Sequence, residues 1–274
     1  MDRFGLIGHP IAHSLSPALF TAAYGGKYPY DLIGMPDFEV AWARFLADYR
    51  AINVTAPFKG DAFACADWKS PECGRIGATN LVVKTPEGTK AYNSDYLGVK
   101  SLLEPLGCRT AAVIGFGGAG KAALAAAEGL GLDTRLYRHA EIAGGVSADV
   151  IIYTLPRFVA GADRLDCAHL LEANYKDPCL AGHPGYIPGS AWLLAQAVTG
   201  YALMTGEQPD AAAMAAVFNR SFPPLCSNTR KSAASAPTSS KTPTTATLSA
   251  STTMSRSWKA SPPSARISAS PAAR

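Results

Sequence analysis

Two residues that could exchange a proton stand at the starts of predicted helices. Lys59 follows a strand-like segment at 51–55 and begins a predicted helix at 58–66. A cation at a helix N-terminus is electrostatically disfavoured, so this position indicates a use other than stability. Asp95 begins a predicted helix at 95–106, where it could cap the helix or take part in chemistry. If the fold joins these two helix starts, Lys59 and Asp95 form an acid–base pair.

Two hydroxyl side chains precede another predicted helix. Ser14 and Ser16 follow the first apolar segment, and Pro17 then occupies the first turn of a predicted helix at 16–24. Hydroxyls and free backbone N–H groups in such a place can bind a carboxylate. The alternative interpretation is that Ser16 only caps the helix.

A glycine-rich turn has the spacing of a dinucleotide-binding loop. The sequence GFGGAG at 115–120 follows a buried strand at 110–114 and begins an alanine-rich helix at 119–130. In this context Gly115 allows the tight turn, Gly117 lets a pyrophosphate approach the backbone, and Gly120 permits close packing of helix on strand. The predicted cofactor-binding residues of the loop are Gly115, Gly117, Gly118, Ala119 and Gly120.

The end of the next predicted strand favours one cofactor over another. Tyr137, Arg138 and His139 stand there, and Glu141 comes only in the following loop. A carboxylate at this point would bind the 2′-hydroxyl of NAD, whereas a guanidinium can pair with the 2′-phosphate of NADP. Arg138 therefore favours NADP, with NAD the less favoured cofactor, unless it is an ordinary surface arginine.

The elements that must position these residues alternate between strand and helix. Strand-like segments at 4–8, 30–33, 51–55, 81–84, 110–114, 134–137 and 150–154 are separated by helix-like ones, except that a turn at 86–88 leads from 81–84 directly into a returning strand at 89–92. Such alternation predicts an α/β fold with parallel sheets covered by helices. Only 12 residues separate Tyr137 from Val150, and Gly144 and Gly145 lie among them. We therefore expect this second crossover helix to be cut to a turn or two.

Composition excludes several classes of function. The segment 227–274 has seven basic and no acidic residues and almost no large apolar ones, so it is predicted to be a disordered low-complexity tail. The remaining residues carry a net charge of −3, which argues against nucleic acid as a partner. No apolar run is long enough for a membrane span. Six scattered cysteines and five histidines show no metal spacing, so we expect a cytoplasmic protein without a metal.

Taken together, several motifs resemble the shikimate dehydrogenase family. They occur in the family's order over about residues 3–220: GHPIAHSLSP at 8–17, NVTAPFK at 53–59, GATN at 77–80, NSDYLG at 93–98, the glycine loop, and GSAWLLAQA at 189–197. The resemblance implies a substrate-binding catalytic domain at 1–100 that is completed by 190–222. A shortened Rossmann domain for NADP would span 101–189.

The resemblance also implies an activity and residue roles. The reaction would be the reversible, NADP-dependent reduction of 3-dehydroshikimate to shikimate, in the chorismate and aromatic amino acid pathway. Lys59 and Asp95 would be the catalytic pair, and Gly189 would line the nicotinamide pocket. The implied substrate-binding residues are Ser14 and Ser16 for the carboxylate, Thr55, Asn80 and Gln196 for the ring hydroxyls, and Asn53 in support.

The sequence departs from the family pattern at several places. Leu171 stands where the family has the first tyrosine of a Tyr-Asp-x-x-Tyr segment, and Trp192 stands where methionine is usual. Two other functions stay open, a quinate/shikimate dehydrogenase of broader specificity and a non-catalytic paralogue that only binds the small molecule. The chain would act as a monomer or a homodimer.

Overall fold

The chain folds around two main sheets. The structure, a computed structural model, describes residues 1–221, so the predicted disordered tail at 227–274 lies outside the described residues. The described residues belong to one compact unit. Their two-domain α/β architecture confirms the predicted fold class.

The first sheet has six strands in the order β2-β1-β3-β5-β6-β4. These strands are β1 (Phe4–Ile7), β2 (Tyr30–Ile33), β3 (Ala51–Val54), β4 (Trp68–Lys69), β5 (Leu81–Thr85) and β6 (Gly88–Tyr92). The helices between them are α1 (Ser16–Ala23), α2 (Phe38–Asp48), α3 (Lys59–Cys65) and α4 (Pro71–Ile76). Strand β1 pairs parallel with β2 and with β3.

The first sheet is mixed, and the predicted turn at 86–88 with its returning strand at 89–92 is confirmed. Strand β5 pairs antiparallel with both β3 and β6. The connection between β5 and β6 consists of Pro86 and Glu87 alone, and two residues can join only antiparallel neighbours. Gly88 follows with φ +119, a left-handed backbone that suits the tight turn.

The second sheet is parallel throughout, in the order β13-β12-β10-β7-β8. Its strands, with the small pair β9 and β11, are β7 (Thr110–Ile114), β8 (Asp133–Tyr137), β9 (Val146–Ser147), β10 (Val150–Tyr153), β11 (Leu165–Asp166), β12 (His169–Glu172) and β13 (Tyr186–Ile187). The remaining helices are α5 (Ser94–Leu103), α6 (Gly118–Gly129), α7 (Gly189–Thr205) and α8 (Ala211–Ser221).

The predicted loss of a crossover helix is confirmed. A 3₁₀ turn at His139–Ile142 and the two-residue strand β9 are all that connect β8 to β10. A second 3₁₀ turn at Ala162–Arg164 and strand β11 connect β10 to β12 in the same economical way. Ile142 and Ala162 are buried in the core under the sheet, where they take the place of helix side chains.

Helices α7 and α8 pack on the first sheet although they follow the second. Tyr201 and Met204 of α7, and Met214 of α8, share a hydrophobic core with Phe4 and Phe20. The exact boundaries of the two domains stay a prediction. Within residues 1–221, no helix combines the length and apolar character needed to cross a membrane.

Helices α5 and α7 lie in backbone contact because glycine separates them. A Cβ atom on Gly98 of α5 would lie 2.7 Å from the backbone nitrogen of Gln196 on α7. Two turns of helix crossing at this distance leave no room for a side chain. The contact holds Gln196 beside the start of α5, where Ser94 and Asp95 stand.

Gly98→Ala is therefore expected to lower the free energy of unfolding by about 1–3 kcal/mol, the usual cost of overpacking. Gly74→Ala is the matched control, since Gly74 is an exposed glycine of α4 with open space around its would-be Cβ. It should stabilise the helix by up to about 1 kcal/mol. Urea denaturation followed by circular dichroism measures both changes, and equal effects of the two substitutions would contradict the packing argument.

Candidate active site

The two predicted catalytic residues meet. Lys59 Nζ lies 2.9 Å from Asp95 Oδ2, and their side chains are 35% and 19% exposed. Asp95 does not cap α5, because the side chain of Asn93 accepts the hydrogen bond from the Tyr96 backbone N–H at 3.1 Å. The Asp95 carboxylate is thus available for Lys59.

All eight predicted catalytic and substrate-binding residues line one cavity. The cavity has a volume of about 510 Å³ and lies at the carboxyl ends of β1 and β3 and at the starts of α1, α3 and α5. The predicted residues on its wall are Ser14, Ser16, Asn53, Thr55, Lys59, Asn80, Asp95 and Gln196. These eight residues supply one ion pair, three amides and three hydroxyls, which is a suitable lining for a small polyhydroxylated acid.

The two serines face each other instead of capping the helix. Ser14 Oγ donates to Ser16 Oγ at 3.0 Å and accepts from the Ser16 backbone N–H at 3.2 Å. The residue at the cap position of α1 is Leu15, which has no side-chain hydrogen bond to the helix. The alternative interpretation, in which Ser16 only caps α1, is therefore wrong. Both hydroxyls remain on the cavity wall.

A buried amide connects the two sides of the cavity. Asn80 Oδ1 accepts from the Ser94 backbone N–H at 2.7 Å, and Asn80 Nδ2 donates to Gln196 Oε1 at 3.4 Å. Asn80 follows α4 and immediately precedes β5, whereas Gln196 lies on α7. Helix α7 is thereby tied to the polar side chains around the first sheet.

The cavity wall also contains residues that the sequence did not predict, and two of them come from the loop after β12. Tyr175 and Lys176, from the loop after β12, stand on the wall with the first-domain residues. Leu171, at the position of the family's first tyrosine, is buried in the sheet. Tyr175 is the second tyrosine of that segment, so its presence was the signal that could have placed an aromatic hydroxyl in the cavity.

Trp192 contacts the backbone of Asp95 from the hydrophobic core. Its indole is buried in the core beneath α5, and Trp192 Nε1 donates to the Asp95 backbone oxygen at 3.1 Å. A methionine at this position could fill the space but could not donate this hydrogen bond. The departure from the family pattern thus adds a direct bond to the backbone of a candidate catalytic residue.

The glycine loop has the geometry of a phosphate cradle. Gly115 has φ +100, and a Cβ on Gly120 would lie 2.1 Å from the Gly115 carbonyl oxygen. By contrast, a Cβ on Gly117 or Gly118 would meet nothing within 4 Å, so the open side of the loop is at the start of α6. Free N–H groups of a helix start facing open space fit a pyrophosphate.

Arg138 stands beside this loop. The Gly115 backbone N–H donates to the Tyr137 carbonyl oxygen at 2.9 Å, which places the end of β8 against the glycine turn. Arg138 is exposed there, and its backbone N–H donates to Glu141 Oε2 at 2.5 Å. Glu141 thus caps the 3₁₀ turn and is held away from the role of a ribose-binding carboxylate.

Gly189 has a clear packing role. It is buried at the start of α7, and a Cβ there would lie 2.6 Å from the carbonyl oxygens of Glu172 and Ala173. Glycine is therefore required for α7 to begin against the end of β12. Its predicted contact with nicotinamide stays a prediction. Among residues 1–221, no group of three or more His, Cys, Asp or Glu side chains is placed to hold a metal ion.

Comparison with known proteins agrees with this geometry. Residues 6–82 match a family model described as the shikimate dehydrogenase substrate binding domain. The NADP(+) shikimate dehydrogenase of Halobacterium salinarum is 34% identical over 195 residues, which cover 65% of this chain and 72% of that protein. The chain belongs to the shikimate dehydrogenase family.

Other members of the family match over shorter stretches or by structure. The NADP(+) shikimate dehydrogenase of Thermus thermophilus is 35% identical over 147 residues, 48% of this chain, so the chain spans about half (54%) of the length of that relative. The Thermus crystal structure in complex with NADP(H) and shikimate has a TM-score of 0.70 at 26% identity and covers 80% of this chain and 99% of that one.

A quinate dehydrogenase from Corynebacterium glutamicum in complex with NAD shares the fold at 20% identity, with a TM-score of 0.69.

In this family member a buried carboxylate secures the loop that carries Tyr175. Glu172, at the end of β12, is fully buried and accepts from the backbone N–H groups of Cys179 at 2.8 Å and Leu180 at 3.1 Å, and from the Tyr186 hydroxyl at 3.1 Å. Burial, together with Glu172, raises the pKa of the Cys179 thiol to about 12, so this cysteine stays protonated. The carboxylate closes the loop 173–180 onto the sheet.

Glu172→Ala should lower the free energy of unfolding by about 3 kcal/mol or more, because three buried donors lose their acceptor together. It should also raise the KM for the substrate, since the loop carrying Tyr175 is no longer held. Glu141→Ala, which removes one exposed cap, should cost less than about 1 kcal/mol. Thermal unfolding and steady-state kinetics of the two variants check this, and similar melting temperatures would refute the clamp.

Proposed function

We propose that this chain catalyses the reversible reduction of 3-dehydroshikimate to shikimate with NADPH. The observation that carries the proposal is the Lys59–Asp95 contact of 2.9 Å on the wall of a polar cavity of about 510 Å³. Membership of the shikimate dehydrogenase family supports it, as do the names of the Halobacterium and Thermus relatives.

The proton chemistry belongs to Lys59 and Asp95. NADPH, when bound, supplies the hydride to the ring ketone carbon. The Lys59 ammonium donates a hydrogen bond, and then a proton, to the oxygen on which negative charge develops. Asp95 holds the ammonium in place through the same ion pair and shares the proton. In the reverse direction the pair accepts the proton of the substrate hydroxyl.

The remaining cavity residues bind the substrate. Ser14 and Ser16 are the proposed ligands of the carboxylate, since their hydroxyls lie together on the cavity wall and can be redirected from each other to an anion. Thr55, Asn80 and Gln196 are the proposed partners of the ring hydroxyls. These side chains come from the residue after β3, the residue before β5 and helix α7, so the substrate would be held from several directions.

The second domain fits an NADP molecule. The open N–H groups at Gly117 and Gly118 suit the pyrophosphate, and the exposed Arg138 beside them suits a 2′-phosphate. Tyr175 lines the cavity and lies in the loop after β12. Strand β12 belongs to the second sheet, where it pairs with β10. Substrate and cofactor would thus meet between the two domains.

Compartment and assembly are part of the same proposal. The scattered cysteines support a reducing compartment, and we propose the cytoplasm. The chain would work as a monomer or a homodimer without nucleic acid. Size-exclusion chromatography with light scattering distinguishes the two assemblies.

The activity is tested by following reduced cofactor at 340 nm with purified full-length protein. Shikimate with NADP is expected to give the highest kcat/KM, ahead of shikimate with NAD and of quinate with either cofactor. Quinate as the better substrate would show broader specificity. Binding of shikimate without any turnover would identify a non-catalytic paralogue.

Lys59→Ala is expected to lower kcat by about 10²–10⁴-fold with a smaller change in KM, which is the typical contribution of one positioned acid–base group. Lys90→Ala removes the same charge from an exposed pair with Glu87 and should leave the kinetics unchanged. Near wild-type turnover by Lys59→Ala would remove Lys59 from the mechanism.

Arg138→Ala is expected to weaken NADP binding by roughly 10–150-fold, the value of one charge-assisted contact, and NAD binding far less. Arg135→Ala is the matched control, because Arg135 lies on the same strand and its guanidinium stacks 4.8 Å from the centre of the Tyr137 ring. Fluorescence titration with both cofactors measures the two dissociation constants. Equal losses for NADP and NAD in Arg138→Ala would reduce it to a structural residue.

A further inference from the structure

Tyr30 contacts a cavity residue from outside the cavity. Its hydroxyl donates to Asn53 Oδ1 at 2.8 Å. Tyr30 on β2 and Asn53 on β3 flank the central strand β1, in register with Phe4 and Leu6 respectively. Tyr30 packs its ring against Phe20 of α1, with the ring centres 4.7 Å apart. The phenol is therefore held in one place behind the amide.

The neighbours of Asn53 allow only one orientation of its amide. Asn53 Nδ2 donates to the Asn80 backbone oxygen at 3.4 Å, and a carbonyl can only accept. Oδ1 must then face Tyr30, which must donate. Burial raises the pKa of Tyr30 well above its usual value, so the phenol keeps the proton that this bond needs. Without Tyr30, the Oδ1 atom would have no donor on that side.

The other two amides are oriented in the same way. The Ser94 backbone N–H, which can only donate, fixes Asn80 Oδ1. Asn80 Nδ2 then faces Gln196, so Gln196 Oε1 is the acceptor and its NH₂ group is left for a ligand. All three amides thus have their carbonyl oxygens occupied by the protein. Their N–H groups remain to meet oxygen lone pairs of a ligand.

We propose that Tyr30 is a positioning residue that fixes Asn53 as a hydrogen-bond donor to the substrate. The inference rests on the proposed function, since it concerns the same cavity. It implies that the three amides donate hydrogen bonds to lone pairs on the substrate's oxygens. The protons of those hydroxyls are left for the acceptors of the cavity, Asp95 and Thr55, which both lie on its wall.

Tyr30→Phe keeps the aromatic packing and removes only the donor. Asn53 Oδ1 then has no donor, and the amide keeps only the 3.4 Å bond from Nδ2 to the Asn80 carbonyl, so the unsatisfied oxygen can turn toward a substrate hydroxyl. We expect the KM for shikimate and its dissociation constant to rise roughly 5- to 20-fold, with kcat changed less than about threefold. Calorimetric titration measures the dissociation constant independently of turnover.

A double-mutant cycle separates positioning from general stability. In an Asn53→Ala background, Tyr30→Phe should raise KM much less than in the wild type, because the amide it orients is absent and only its contact with the Ser16 hydroxyl is lost. Tyr24→Phe is the matched control: its ring packs on the same Phe20 at 5.0 Å, but its hydroxyl bonds to Thr205 at 2.9 Å. It should leave KM unchanged even if it lowers the melting temperature.

Asn53→Asp tests the inference without altering Tyr30. Aspartate can still accept from Tyr30 but has no N–H to donate, so KM should rise at least as much as in Asn53→Ala. A KM within twofold of wild type for Tyr30→Phe or for Asn53→Asp would overturn the inference. So would an equal effect of Tyr30→Phe with and without the Asn53 amide.

The wild-type protein distinguishes the two proposals. If it binds shikimate but does not turn it over with either cofactor, the proposed function fails and the cycle is read from dissociation constants alone. If the folded wild type neither binds nor converts shikimate, both the function and the role of Tyr30 are refuted.

Discussion

The site depends on the contact between Gly98 of α5 and the backbone of Gln196 on α7. With a Cβ position only 2.7 Å from that backbone, the two helices touch along their main chains. Helix α5 carries Asp95 near its start, and α7 carries Gln196 opposite Gly98, three residues further along α5. A larger residue would separate these side chains and widen the cavity between the first sheet and α7. One missing side chain thus sets how closely α7 and its Gln196 approach α5, the helix that carries the proposed catalytic Asp95.

The same contact explains why residues far apart in the chain act together. Trp192, one turn before Gln196, reaches under α5 and bonds the Asp95 backbone at 3.1 Å. Asn80 bonds Ser94 at one end and Gln196 at the other. The bonds from Trp192 to Asp95 and from Asn80 to Gln196 bring α7 to the start of α5, where the two helices touch. The polar network and the helix packing are therefore one arrangement.

The domain built on the second sheet connects its parallel strands with fewer residues than full crossover helices would need. Two 3₁₀ turns stand in the place of crossover helices, and the five strands of the sheet still pair in parallel. Parallel strands require burial on their faces, and Ile142 and Ala162 supply it from the short turns. The loop after β12 is secured by the buried Glu172 carboxylate, which keeps Tyr175 at the cavity.

Much of this could be predicted from the residues alone. Local signals were enough for the glycine loop, because strand, turn and helix start are contiguous there. The misplaced cation Lys59 indicated chemistry because a helix dipole disfavours it. The shortened crossover after Tyr137 followed from chain length. The ordered motifs indicated the family, and with it the set of residues on the cavity wall.

Other features were decided only by the tertiary structure. Tyr30 has no signal in its own segment, since its partner Asn53 lies 23 residues away and across another strand. The antiparallel pairing of β5 with β3, the bond from Trp192 and the approach of Tyr175 likewise depend on neighbours in space. Sequence periodicity reports which face of an element is buried. Which donor meets which acceptor is settled by packing between elements, because a shift of about an ångström makes or breaks a hydrogen bond.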